Sequence, residues 1–159
     1  MQYLEQDMQA TDKLCGKLGG REPAAATGVE MPAQTSLAIT KPLIAVVDDD
    51  KSVLRSLSRL LRSAGYAVQS FGSAQEFLVS VATLSPQCLV LDVQMPGMSG
   101  FELHGRLKDL GHQIPVVYIT AHDTPHTGTS ACQPGTVGLL FKPFDETELL
   151  AIVSKTVAL

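Results

Sequence analysis

A chain of 159 residues with 45% hydrophobic content can bury a core without disulfides or structural metals. Twelve Lys and Arg against sixteen Asp and Glu give a net charge of −4, opposite to the footprint of a nucleic-acid binder, so direct nucleic-acid binding is not expected. No apolar run approaches the ~18 residues of a membrane span, and the start MQYLEQDMQ lacks the basic and apolar regions of a signal peptide. The three cysteines, Cys15, Cys88 and Cys132, are far apart and lack zinc-site spacing. They read as reduced thiols of a cytoplasmic protein with no membrane partner.

Residues 1–40 read as an amino-terminal extension, largely without fixed structure, because GGREPAAATGVEMPAQTS has no sustained apolar period. A weak helix over YLEQDMQATDKLCGKL would need docking to persist. From residue 41 to 159 the pattern alternates. Strand-like runs stand at LIAVV (43–47), AVQSF (67–71), CLVLD (88–92), VVYIT (116–120) and TVGLLF (136–141). The segments between them read as helices, and this rhythm predicts an α/β fold with a parallel sheet.

The first helix, SVLRSLSRLLRSAG, puts Val53, Leu57, Leu60 and Leu61 on one face and ends at Gly65. Ser73 with Glu76, and Ser99 with Glu102, have capping-box spacing at the next two helix starts. Asp145 can cap the last helix. Between the fourth and fifth strands, DTPHTGTSACQPG is rich in threonine and carries Gly128 and two prolines, so only a short or frayed helix is expected there.

In an open parallel sheet, ligands bind beyond the carboxyl ends of the strands. Asp48, Asp49 and Asp50 follow strand one, Asp92 ends strand three, Thr120 ends strand four, and Lys142 with Pro143 follows strand five. Carboxylates ~4 Å apart repel by about 4 kcal/mol at an effective dielectric of about 20. A divalent ion held by oxygen is a better neutraliser than Lys142 alone, and clustered carboxylates suit Mg²⁺. Acids, a hydroxyl and an ammonium on one rim make a working set for phosphoryl transfer, with Asp92, alone on the central strand, as nucleophile. Asp50 is left to cap the first helix.

The motifs VVDDDKSVLRSL, LVLDVQMPGMSGFEL, YITAH and FKPF closely resemble the receiver domain of two-component response regulators, particularly receivers of FixJ-like transcription factors, over about residues 42–157. The resemblance implies a flavodoxin-like (CheY-like) three-layer fold with a five-stranded parallel sheet of order 2-1-3-4-5. It implies an Mg²⁺ site of Asp48, Asp49, Asp92 and the Gln94 backbone carbonyl. It also implies phosphorylation of Asp92, Thr120 as switch hydroxyl, Lys142 as the conserved-type lysine, and a cis Lys142-Pro143 bond. The implied partners are a sensor histidine kinase or histidine phosphotransfer protein and a downstream protein target, with a second copy of the chain a further candidate.

Two departures stand out. Leu139 occupies the place of the usual switch Tyr or Phe, three residues before the lysine, and the fourth-helix region is unhelical. His122 sits where receivers tune water access to the phosphoryl group, and all four histidines, His104, His112, His122 and His126, are expected to be exposed. No classical enzyme activity is expected beyond self-catalysed phosphorylation and dephosphorylation. The alternatives are a phosphate sink derived from a transcription factor without its DNA-binding half, a phosphorylation-independent binding module, and an Mg²⁺-dependent phosphohydrolase. Gln94 stands against the last, because hydrolases of the haloacid dehalogenase type carry a second aspartate at that position.

Overall fold

The computed structural model describes residues 40–121 and 132–158. The expectations for the amino-terminal extension, for the short helix between the fourth and fifth strands, and for His122 and His126 lie outside the described residues. In chain order the elements are β1 (Leu43–Val47), α1 (Lys51–Ser63), β2 (Ala67–Phe71), α2 (Ala74–Val81), β3 (Cys88–Asp92), α3 (Gly100–Asp109), β4 (Val116–Thr120), β5 (Thr136–Phe141) and α4 (Glu146–Val157). All strand pairs are parallel, and the sheet order is β2-β1-β3-β4-β5.

The central strands β1, β3 and β4 are near-continuous apolar runs because they are covered on both faces, whereas the edge strands expose Gln69 and Ser70 on β2 and Val137 and Phe141 on β5. Alternation along each strand sorts the side chains. Ile44, Val46, Val90, Val117 and Ile119 meet Leu57 and Leu61 of α1 and Leu149 and Val153 of α4. Ala45, Val47, Leu89, Leu91 and Tyr118 meet Phe77 and Val81 of α2 and Leu103 and Leu107 of α3 on the other face. Each fully buried leucine or isoleucine stabilises by about 1.5–3 kcal/mol relative to exposure. The result is the three-layer, flavodoxin-like arrangement. Among the described residues no helix is long and apolar enough to cross a membrane.

The helix starts follow the predicted caps, with one difference. Ser99 and Glu102 form a complete capping box. Ser73 accepts from the Glu76 backbone, but the Glu76 carboxylate reaches past it and accepts from Gly72 N at 2.9 Å. Asp145 accepts from Thr147 N at 2.8 Å and caps α4. Each of the four described helices thus starts on a side-chain oxygen at the positive end of its dipole.

One expectation is overturned on α3. His104 is buried, with only 2% of its surface exposed. It stands beside Leu103 on the face turned to the sheet, one turn before Leu107, and the buried Tyr118 hydroxyl at 2.5 Å from Nδ1 gives the imidazole a partner there. That hydrogen bond removes most of the cost of burying a polar ring.

Candidate functional site

The three aspartates after β1 separate into different tasks. Asp48 N donates to Phe71 O at 3.2 Å, continuing the β1–β2 ladder, so Asp48 is held at the sheet edge and is 2% exposed. Asp50 N then donates to Asp48 Oδ1 at 2.8 Å and fixes that carboxylate. The Asp50 side chain accepts from Ser52 N at 2.8 Å as the N-cap of α1. Asp49, between them, is exposed.

Asp92 closes β3 and is 5% exposed. The loop after it is clamped on both sides. Val93 N donates to Ile119 O and Gly100 N donates to Val93 O, each at 3.0 Å. This brings the start of α3 against the Asp92 backbone, where a methyl group on residue 100 would overlap the Asp92 carbonyl. Lys142 N donates to Thr120 O at 2.8 Å, which carries the β4–β5 pairing one residue further and aims the lysine along the rim. Its Nζ lies 3.2 Å from Asp48 Oδ2 and 3.3 Å from Asp92 Oδ1. Thr120 is wholly buried, and its hydroxyl donates to Ala121 O at 3.2 Å. The Lys142-Pro143 peptide bond is cis, as the resemblance implied.

One carboxylate oxygen from each of Asp48, Asp49 and Asp92 lies within 4.8 Å of the others. Burial pushes the Asp92 carboxyl up to about 6; Asp48, and to a lesser extent Asp49, push the same way, while Lys142 pulls back. Burial disfavours the charge on Lys142, but the attraction of Asp92 and Asp48 outweighs it and holds the ammonium above its ordinary range. The rim is therefore short of positive charge. Among the described residues its donors are all carboxylate oxygens, with no imidazole or thiolate among them, which fits a small hard dication such as Mg²⁺ better than zinc.

Asp48, Asp49, Asp92 and Lys142 are thus drawn together by three strand ends, and Thr120 closes the strand between Asp92 and Lys142. Gln94 is exposed in the loop two residues past Asp92. Leu139 is half-buried and pairs in register with Tyr118 of β4. The buried aromatic ring stands on β4: Tyr118 packs edge-on against Phe101 at a centroid distance of 4.8 Å. Two features escaped the sequence reading. The capping-box spacing announced the start of α3, but nothing in SGFE says that its glycine meets the Asp92 backbone. The His104–Tyr118 pair joins residues fourteen positions apart, and only the alternation of β4 with the α3 period hinted that both face the same layer.

An open parallel sheet with acids, a hydroxyl and a lysine on its carboxyl rim defines a doubly wound α/β protein of the CheY-like class. The family model described as response regulator receiver domain matches residues 44–154, and the chain belongs to that family. Nodulation protein W of Bradyrhizobium diazoefficiens is 46% identical over 121 residues, covering 75% of this chain and 53% of that protein. Response regulator protein TodT of Pseudomonas putida is 42% identical over 125 residues, covering 77% and 55%. The crystal structure of FixJ-N superposes with a TM-score of 0.69 at 32% identity, covering 76% of this chain and 96% of that one. The structure of response regulator StyR gives 0.66 at 44% identity, covering 75% and 60%. The chain spans about half the length of the curated relatives it matches. Receiver domains of two-component systems interact with histidine kinases or phosphotransfer proteins and typically bind Mg²⁺ at an acidic pocket.

Proposed function

We propose that this chain accepts a phosphoryl group on Asp92 from a phosphohistidine of a sensor kinase or phosphotransfer protein. The observation that carries the reading is Lys142 Nζ standing between Asp48 and Asp92, at 3.2 and 3.3 Å, on a rim where Asp49 supplies a third carboxylate. An Asp92 carboxylate oxygen attacks phosphorus, the phosphorus–nitrogen bond breaks, and the imidazole leaves as the neutral base after taking up a proton. Asp48, Asp49, Asp92 and the Gln94 carbonyl would hold Mg²⁺. When bound, that ion offsets charge on the phosphoryl oxygens and lowers the cost of bringing two anions together.

The chain's own residues do the rest. Lys142 holds a positive charge on Asp92 before transfer and takes a phosphoryl oxygen after it. Thr120, on the neighbouring strand, donates its hydroxyl to a second oxygen once it leaves Ala121 O. Asp48, fixed by Asp50 N, keeps its charge directed at the rim. Gly100 and the Val93 clamps hold the nucleophile's backbone still. His122 and Pro143 are assigned modulatory places, the first for water access and the second for the aim of Lys142. Output passes by protein contact, in the cytoplasm, and Leu139 stands on β5 where the resemblance calls for a switch aromatic.

The test is incubation with Mg²⁺ and acetyl phosphate followed by intact mass. The expected outcome is the gain of one phosphoryl group, absent from Asp92→Asn and from samples in excess EDTA. No gain by wild type, beside a receiver that labels under the same conditions, ends the phosphoacceptor reading.

A further inference from the structure

We infer that a cavity at the amino ends of β4 and β5, opposite the acidic rim, binds a small organic anion with an apolar body. The cavity has a volume of about 530 Å³ and lies between the end of α3 and the starts of the two strands. That is the size range of small-molecule sites, which combine an apolar lining with a few placed polar groups. Ile114, Pro115 and Val137 supply the apolar wall, and Val137 leaves 42% of its surface uncovered. His104, Lys108 and His112 supply the polar side, and among the described residues no acid lines the cavity.

His104 is the residue that makes this more than a hollow. Its ring is buried, Nδ1 is engaged by Tyr118, and Nε2 has no hydrogen-bond partner among the described residues. Nε2 faces the cavity wall at Gly135, where a methyl group would stand 3.3 Å away. The Thr136 hydroxyl favours the phenol oxygen as an acceptor, which leaves the buried phenol to donate its own proton, and Nδ1 is at hand to accept it. The neutral imidazole then carries its own proton on Nε2 and presents an N–H donor to the cavity. Burial, with Lys108 nearby, holds His104 below the ordinary histidine range, which keeps this neutral form at pH 7.

The backbone positions the other two groups. Gly111, with φ of +83°, turns the chain out of α3, and His112 N donates back to Leu107 O at 2.8 Å. This places His112 over the cavity mouth, one turn beyond Lys108. A neutral N–H donor at the wall and an ammonium at the rim suit a carboxylate or phosphate group, and the uncovered wall suits a ring or short alkyl chain. An aromatic carboxylate has both.

The test uses the full chain, ¹⁵N-labelled, in EDTA, titrated with benzoate and separately with benzyl alcohol. A probe of this size binds a matched cavity at ~1 mM. Saturable amide shifts confined to residues 104–115 and 132–138 are expected for benzoate, with benzyl alcohol at least fivefold weaker. Lys108→Gln, at a half-buried position, is expected to weaken benzoate at least fivefold, and His104→Phe likewise. No saturation with either probe overturns the inference, as does equal binding of the neutral analogue or unchanged binding by Lys108→Gln in a variant with wild-type dispersion. The same titration on Asp92→Asn is expected to match wild type, so the result stands whether or not Asp92 accepts a phosphoryl group.

Discussion

Replacing Asp92 by Asn is expected to stabilise the metal-free protein at neutral pH. The ordinary aspartate value of 3.8 rises to about 6 in the folded chain, because burial and the neighbouring Asp48 both penalise the charge. Two pKa units correspond to about 3 kcal/mol. The sign follows from proton counting. Between pH 4 and 6, roughly, the folded state binds more protons at Asp92 than the unfolded state does, so stability falls as pH rises through that window and is flat above it. At pH 7.5 wild type carries the whole penalty of about 3 kcal/mol, and at pH 4.5 only about 1 kcal/mol of it. Asn removes the penalty but also takes from Lys142 one of its two carboxylate partners, leaving Asp48. A net gain of about 1–3 kcal/mol is therefore expected at pH 7.5, shrinking toward zero near pH 4.5. The protein has no tryptophan, so urea unfolding in EDTA is followed by far-ultraviolet circular dichroism. A variant no more stable than wild type at pH 7.5, or a gap that does not shrink on acidification, refutes the electrostatic reasoning.

Mg²⁺ at ten times its dissociation constant is expected to stabilise wild type by about 1.4 kcal/mol and Asp92→Asn by less, read as a shift in the same urea midpoint. Gly100→Ala is expected to lose about 1–3 kcal/mol and to slow acetyl phosphate labelling, since the added methyl meets the Asp92 carbonyl. Its control, Gly105→Ala, has open space around the new methyl in the middle of α3 and is expected to gain about 0.5–1 kcal/mol, so thermal melts of the two should move in opposite directions. Asp50→Ala is expected to cost about 1 kcal/mol through the lost α1 cap while still gaining one phosphoryl group by mass. Loss of labelling there, with the fold retained, would move Asp50 into the working site.

The parts of this molecule that were legible in its sequence are those set by short-range rules. The central strands β1, β3 and β4 are runs of buried, mostly aliphatic side chains, because a parallel sheet covered on both faces asks for little else there. Each described helix begins at a residue whose side-chain oxygen caps it. The rim residues were legible for a related reason: a carboxylate, hydroxyl or ammonium directly after an apolar run interrupts the pattern at the place where a strand leaves the core. Asp48, Asp92, Thr120 and Lys142 all announce themselves in that way. What the pattern does not carry is which atoms meet. Nothing in VVDDDK says that Asp50 N turns back to Asp48 while Asp49 stays in solvent. That division depends on where α1 starts, and the cap sets it.

His104 marks the limit from the other side. In GFELHGRLKD it reads as a polar residue among polar neighbours, and the general tendency of histidine toward the surface favours exposure. The tendency fails because Tyr118, on a strand that follows fourteen residues later, brings a hydroxyl into the same layer and satisfies the imidazole. The same pairing places an aromatic ring on β4 directly across from Leu139, where the resemblance called for one on β5. A ring on β4 is tied to α3 through Phe101 and His104 and lies two residues before Thr120, on the same side of the strand.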